Sequence, residues 1–172
     1  MRALFVGINP GVRSALTGHH FAGFSNRFWN LLFESGLVPE RIRPEDDARL
    51  PDWGYGVTNL IARPTAGIDT LRADEYIAGA RVLRRKVRRW KPPVVALVGV
   101  TLYRSLFPRA LDFARARAAR TPPVIGLRDD PFEDARVFVL PNPSGRNANY
   151  SYTEMLAAFT DLRLYLDSVI RN

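Results

Sequence analysis

The chain contains no cysteine. That absence excludes disulfides, cysteine-ligated zinc, iron–sulfur clusters and thiol nucleophiles, and it is consistent with a cytoplasmic protein. Histidine is scarce. His19 and His20 are adjacent, with no third ligand at metal-site spacing, so a loop or phosphate-facing role outweighs a metal site and none is expected. Long hydrophobic runs are missing as well. The apolar start covers about six residues before a polar turn, which does not read as a secretory signal, and nothing approaches the roughly 20 residues of a membrane span. No repeat, low-complexity tail or linker interrupts the chain. With 172 residues, 47% hydrophobic and 24% charged, it is expected to form one globular, monomeric domain over 1–172 that needs no staples.

Lysine is nearly lacking too. Of 25 Lys plus Arg residues, Lys86 and Lys91 are the sole lysines, and 17 Asp plus Glu leave a formal charge of +8. The pI is near 10.5. A small basic domain is biased towards a polyanion, most often nucleic acid. The competing explanation is compositional: a GC-rich genome favours arginine whatever the protein binds.

What is present starts with Leu4–Val6, a short run of β-formers that stops at Gly7-Ile8-Asn9-Pro10-Gly11. Pro10 fixes its own φ, supplies no N–H and pushes Asn9 towards an extended conformation. Gly7 and Gly11 permit unusual backbone angles and close approach of another molecule. Asn9 is thereby presented on a stiff loop at the carboxyl end of a buried strand, where open α/β sheets place their ligands. A plain strand-to-loop turn with a capping Asn is the alternative.

Further along, Thr17–Ser25 lacks any period and reads as a long ordered loop, with Ser25 as cap of a helix carrying Phe28, Trp29, Leu32, Phe33 and Leu37 and ended by Gly36. Residues 38–52 read as a surface connection with one short helix. Gly54–Ile61 is a strand candidate ending in the turn cluster Arg63–Gly67. Ala73–Trp90 reads as a long helix with Ala80, Leu83, Val87 and Trp90 inward and a solvated basic face over 81–91, stopped by Pro92-Pro93. Val94–Gly99 is apolar throughout, as a strand covered on both faces should be. Thr101–Phe107 reads as a short helix, Ala110–Arg120 as helix or exposed loop, and Arg136–Pro141 as the last strand. Ser151 and Glu154 have capping-box spacing ahead of a closing helix, Tyr152–Ile170, with Met155, Phe159, Leu162, Leu166 and Ile170 inward. The alternation predicts an α/β fold, a three-layer αβα sandwich with a short, mostly parallel central sheet. Loops 7–11, 63–69 and 142–147 then share one sheet edge and converge.

Four motifs in this order resemble the mismatch-specific uracil/thymine-DNA glycosylases of the uracil-DNA glycosylase superfamily. They are Gly7-Ile-Asn-Pro-Gly11, Ser25-Asn-Arg-Phe-Trp29, Gly56-Val-Thr58 with Arg63-Pro-Thr65, and Asn142-Pro-Ser-Gly145. The resemblance spans nearly the whole chain. It implies an enzyme that flips uracil, or another mispaired or damaged pyrimidine, out of double-stranded DNA and hydrolyses the N-glycosidic bond without metal or cofactor. A non-catalytic damage-binding module of the same fold is the second reading. A phosphate-binding α/β enzyme is the third, weakened because the glycine loop lacks either phosphate-binding spacing.

By the same resemblance, Asn9 positions the attacking water and Ile8 contributes its backbone amide. Phe21 stacks on the flipped base, with a core aromatic as its rival role. Asn142 stands where faster relatives carry a base-stabilising His and donates a neutral hydrogen bond, which implies modest turnover and relaxed base choice. Ser14 and Thr17 line the sugar side. Pro143, Ser144, Gly145, Arg146 and Asn147 form the loop that enters the duplex. Arg146 is its wedge, or else a phosphate contact. Asp69, on a loop at the same edge, is a candidate general base or a helix-cap or surface carboxylate; as a base, its loss on Asp69→Asn costs at least about tenfold.

Overall fold

The computed structural model describes residues 1–108 and 124–170; the expected helix or loop at 110–120 lies outside them. Strand β1 (Ala3–Gly7) is buried at every position. Ala3 and Phe5 pack into one hydrophobic cluster and Leu4 and Val6 into another, as the two-residue period of a strand covered on both faces requires. Around it runs a five-stranded sheet of order β2-β1-β3-β5-β4, formed with β2 (Tyr55–Asn59), β3 (Val94–Val98), β4 (Gly126–Phe132) and β5 (Ala135–Leu140). Strands β2, β1, β3 and β5 are mutually parallel. Edge strand β4 runs antiparallel to β5.

Helices cover both faces, giving the expected sandwich. On one side lie α2 (Phe28–Glu34), α5 (Tyr152–Ile170) and a 3₁₀ segment, Pro44–Trp53, that supplies buried Leu50. The other side holds α3 (Ala73–Trp90) and α4 (Val100–Leu106). Each fully buried Phe or Leu in these layers contributes about 1.5–3 kcal/mol.

The capping box of α5 is formed: the Ser151 N–H donates to Glu154 Oε2 at 2.6 Å and the Glu154 N–H to Ser151 Oγ at 3.2 Å. Met155, Phe159, Leu162 and Leu166 are buried beneath it. The cap of α2 is different from the one expected. Asn26 Oδ1, rather than Ser25, accepts the Phe28 N–H at 3.0 Å, since an Asx side chain reaches the amide two residues on. The inward stripe of α3 also needs correction. Leu83 and Val87 are buried, but Trp90 is 59% exposed; it ends the helix just before Lys91, which turns left-handed at φ 45°. A buried glycine, Gly79, takes an inward place one turn before Leu83, because the Leu60 carbonyl oxygen lies 2.5 Å from where its Cβ would be.

Because four adjacent strands are parallel, the loops after β1, β2, β3 and β5 leave by one edge. A short helix not read from sequence, α1 (Val12–Thr17), sits in the first of them.

Candidate active site

These loops enclose a cavity of about 590 Å³, within the range of small-ligand sites, roughly 300–1,000 Å³. Asn9 and Asn142 both line it, together with Ile8, Ser14 and Phe21. The two asparagines are held with opposite polarity. Asn9 Nδ2 donates to Thr65 Oγ1 at 2.7 Å, to the Arg63 carbonyl at 3.0 Å and to the Pro10 carbonyl at 3.3 Å. Its amide protons are thus committed to the loops and its Oδ1 remains as an acceptor. Asn142 is turned the other way: its Oδ1 accepts the Ser144 N–H at 3.0 Å, which leaves Nδ2 as a donor.

Phe21 lines the cavity with its ring backed by the core. It adopts a positive φ of 50° and its ring lies on Phe28 at a centroid distance of 4.1 Å and 25°, so one face is supported by the core while the residue lines the cavity. A non-glycine residue in this conformation must be held there. Asp47 does so: its Oδ2 accepts the His20 N–H at 3.0 Å and contacts His20 Nδ1 at 3.1 Å, while Oδ1 contacts His19 Nδ1 at 3.3 Å. The Trp29 indole donates to the His20 carbonyl at 3.1 Å. Burial alone would push the Asp47 carboxyl up; the hydrogen bonds from His20 and His19 outweigh it and hold it below its ordinary value. The histidine pair therefore anchors the segment that carries Phe21.

Gly7 is needed for close approach rather than for its backbone angles, since a Cβ there would lie 2.6 Å from Asn59 Oδ1 and 3.2 Å from the Phe21 ring. Gly11 has an ordinary φ of −72° and open space around it, so its expected special conformation is not used.

Other expected residues are placed less simply. Ser14 lines the cavity, its Oγ accepting the Ala22 N–H at 3.0 Å. Thr17 does not line it: its hydroxyl donates to the Arg13 carbonyl at 2.9 Å at the end of α1, turned into the helix by the usual i−4 bond of a threonine. In the 142–147 loop, Ser144 and Arg146 line the cavity. Pro143 is buried and its carbonyl accepts the Arg27 N–H at 2.9 Å. Gly145 rests on Ser25, whose carbonyl oxygen would lie 2.8 Å from a Cβ. Asn147 Nδ2 donates to the Asn142 carbonyl at 2.8 Å and lines an adjoining recess.

Asp69 lies outside the cavity wall. It sits exposed in the 3₁₀ turn Ile68–Thr70, its carboxylate folded back over Gly67. A general base must be within hydrogen-bond reach of its proton, directly or through one water, and its removal costs about a hundredfold or more. For the excision that the resemblance implies, Asp69→Asn is therefore expected to change the single-turnover rate by less than about threefold, against the roughly tenfold loss expected of a base. A larger loss in a rapid-quench measurement would restore it to the mechanism.

Arg13, Phe24 and Asn59 are among the cavity residues not singled out from sequence. Asn59 ends β2, and its Oδ1 lies 2.6 Å from where a Cβ on Gly7 would be. No Asp or Glu lines the cavity among the described residues; its charged side chains are Arg13 and Arg146. The wall therefore suits an anion or a group that becomes one.

The loop that grips Asn9 is itself anchored. Arg63 Nε and Nη2 donate to the two Glu75 oxygens at 2.7 and 2.8 Å, and the Arg72 N–H donates to Glu75 Oε2 at 2.9 Å. The Arg63 guanidinium, then the Arg72 amide, lower the Glu75 carboxyl from 4.5 to about 2. A depressed carboxyl stabilises the fold fully above its unfolded value and ceases to do so as pH falls through the folded one. The stability gap between wild type and Glu75→Gln in urea melts is thus expected to be constant above about pH 5 and to close between pH 4.5 and about 2. A gap that persists unchanged at pH 2 contradicts this.

A family profile described as the uracil DNA glycosylase superfamily matches residues 1–163. A protein of Schizosaccharomyces pombe named G/U mismatch-specific uracil DNA glycosylase is 38% identical over 151 residues, covering 87% of this chain and 46% of that protein. The chain thus spans about half the length of this curated relative.

Proposed function

The chain belongs to the uracil DNA glycosylase superfamily, and from that membership and the polarity of its two site asparagines we propose that it is a monofunctional DNA glycosylase. It flips uracil out of double-stranded DNA, notably from opposite guanine, and hydrolyses the bond between C1′ and N1. Other mispaired or damaged pyrimidines are secondary substrates. The name of the fission-yeast relative supports the guanine context. In this reading it works as a cytoplasmic monomer.

The observation that carries this reading is the amide pair. Breaking the glycosidic bond builds positive charge on the sugar and negative charge on the departing base. A bare acceptor at Asn9 Oδ1 is suited to orient a water towards C1′. A bare donor at Asn142 Nδ2 is suited to a base oxygen as it gains charge. Water adds its oxygen to C1′, the C1′–N1 electron pair leaves with the pyrimidine, and the proton released by the water neutralises that anion. Phe21 offers its face to the flipped ring, Ile8 its backbone amide, Asn59 a further amide, and Ser14 a lining for the sugar side.

In this reading Arg146 fills the gap in the duplex. Its Nη1 donates to the Ala66 carbonyl at 3.4 Å across the cavity, a long, exposed bond that is easily surrendered. Ser144 and Asn147 present the loop to DNA, while Pro143 and Gly145 fix it to α2 and Ser25.

Incubation with a duplex containing a single uracil opposite guanine tests the proposal. Free uracil and a strand break appearing after alkali, with none before it, are expected. Tight binding with no alkali-labile site would make the protein a damage-binding module instead.

A further inference from the structure

Phe24 is an aromatic side chain left 89% exposed at the cavity rim. Its ring is not loose: the Arg13 guanidinium lies 3.8 Å from its centroid, a cation–π stack that holds both side chains. The next residue, Ser25, is in contact with Gly145, and the Arg27 N–H ties the same segment to the Pro143 carbonyl at 2.9 Å. Phe24 is thus carried on a loop braced against the one that bears Arg146. Leaving a ring of this size in water forgoes most of the free energy of its burial, and here it stands beside a cavity that opens towards a polyanion.

We propose that Phe24 is a second insertion element that stacks on the nucleobase next to the flipped one, with Arg13 holding the ring and meeting the adjacent phosphate. This rests on the glycosylase reading above. When a nucleotide leaves the duplex, its neighbour loses a stacking partner, and that exposed π-face is what a rigid aromatic at the rim can cover. Arg146 fills the space of the missing base while Phe24 covers the neighbour, so the two loops share the cost of the extrahelical state. The role belongs to flipping rather than to bond cleavage, because Phe21 already occupies the stacking place inside the cavity.

The distinction sets the experiment. Single-turnover excision is measured for wild type, Phe24→Ala and Phe24→Trp on uracil in a duplex opposite guanine and on the same uracil in a single strand, where no pairing has to be broken. Phe24→Ala is expected to be about tenfold slower on the duplex and within about twofold of wild type on the single strand, with Phe24→Trp close to wild type on both. A duplex carrying 2-aminopurine beside the uracil should show a larger fluorescence rise with Phe24→Ala than with wild type, because the neighbour is no longer covered. Equal losses on both substrates, or no loss on the duplex, overturn the assignment. Absence of excision by the wild type on the duplex would instead overturn the glycosylase reading itself.

Discussion

Asn9→Ala is expected to slow single-turnover uracil excision about a hundred- to a thousandfold, with little change in DNA affinity. The side chain makes three donor contacts, to Thr65, Arg63 and Pro10, so its rotation is fixed before any water binds. Alanine removes the acceptor proposed to orient the water and releases the Thr65 hydroxyl into the cavity. Folding should survive, since the loop keeps its backbone bonds: the Thr65 N–H still donates to the Pro10 carbonyl and the Ile61 N–H to the Ile8 carbonyl. Asn9→Asp is the informative companion. Its second oxygen would face the Arg63 and Pro10 carbonyls without a proton to offer them, so the gain in basicity is opposed by lost alignment. Rapid-quench rates with unchanged binding curves check the expectation, and an Asn9→Ala rate within threefold of wild type would remove Asn9 from the chemistry.

Gly79→Ala is expected to lower stability by about 2–3 kcal/mol, although alanine is the better helix former by nearly 1 kcal/mol. The new Cβ would sit 2.5 Å from the Leu60 carbonyl oxygen and 3.0 Å from Leu60 Cγ. A backbone oxygen cannot rotate away as a side chain can, so α3 has to move off the sheet. For a chain of this size the change lowers Tm by roughly 5–10 °C, readable in a thermal melt. A rise in Tm would show that propensity wins and that the contact relaxes freely. The displacement would also reach the site. The Leu60 N–H donates to the Gly7 carbonyl at 2.8 Å, and Asn59 and Gly7 share the crowded wall beside Phe21. A loss of excision at temperatures where the variant is still folded is the expected side effect.

The elements legible in the sequence were those whose burial writes a simple pattern. Strand β3 is apolar throughout because helices cover both its faces, and α5 carries both an apolar stripe and a capping box. Strand β4 left no such mark. Gly-Leu-Arg-Asp-Asp-Pro-Phe alternates half-buried and exposed positions, leaves Leu127 40% exposed and includes a proline, a composition tolerated at a sheet edge and unreadable as a core strand. Asn9 and Asn142 were conspicuous because each precedes a proline in a turn, whereas Asn59 ends an ordinary strand and reaches the cavity through where the fold points it. Thr17, expected on the sugar side, and Asp69, read as either a base or a cap or surface carboxylate, are the opposite case. Both lie within a few residues of cavity-lining positions, but local turns direct their side chains elsewhere, and direction is what spacing alone does not encode.

The proline after each site asparagine has a chemical benefit beyond stiffness. Asparagine ages to aspartate mainly when the following backbone nitrogen attacks the side-chain carbonyl and closes a five-membered imide, a step that needs an N–H to lose. Pro10 and Pro143 have none. Both carboxamides are thereby shielded from spontaneous hydrolysis, which would otherwise turn a donor–acceptor pair into negative charge at the site where, in the proposed reaction, the departing base becomes an anion.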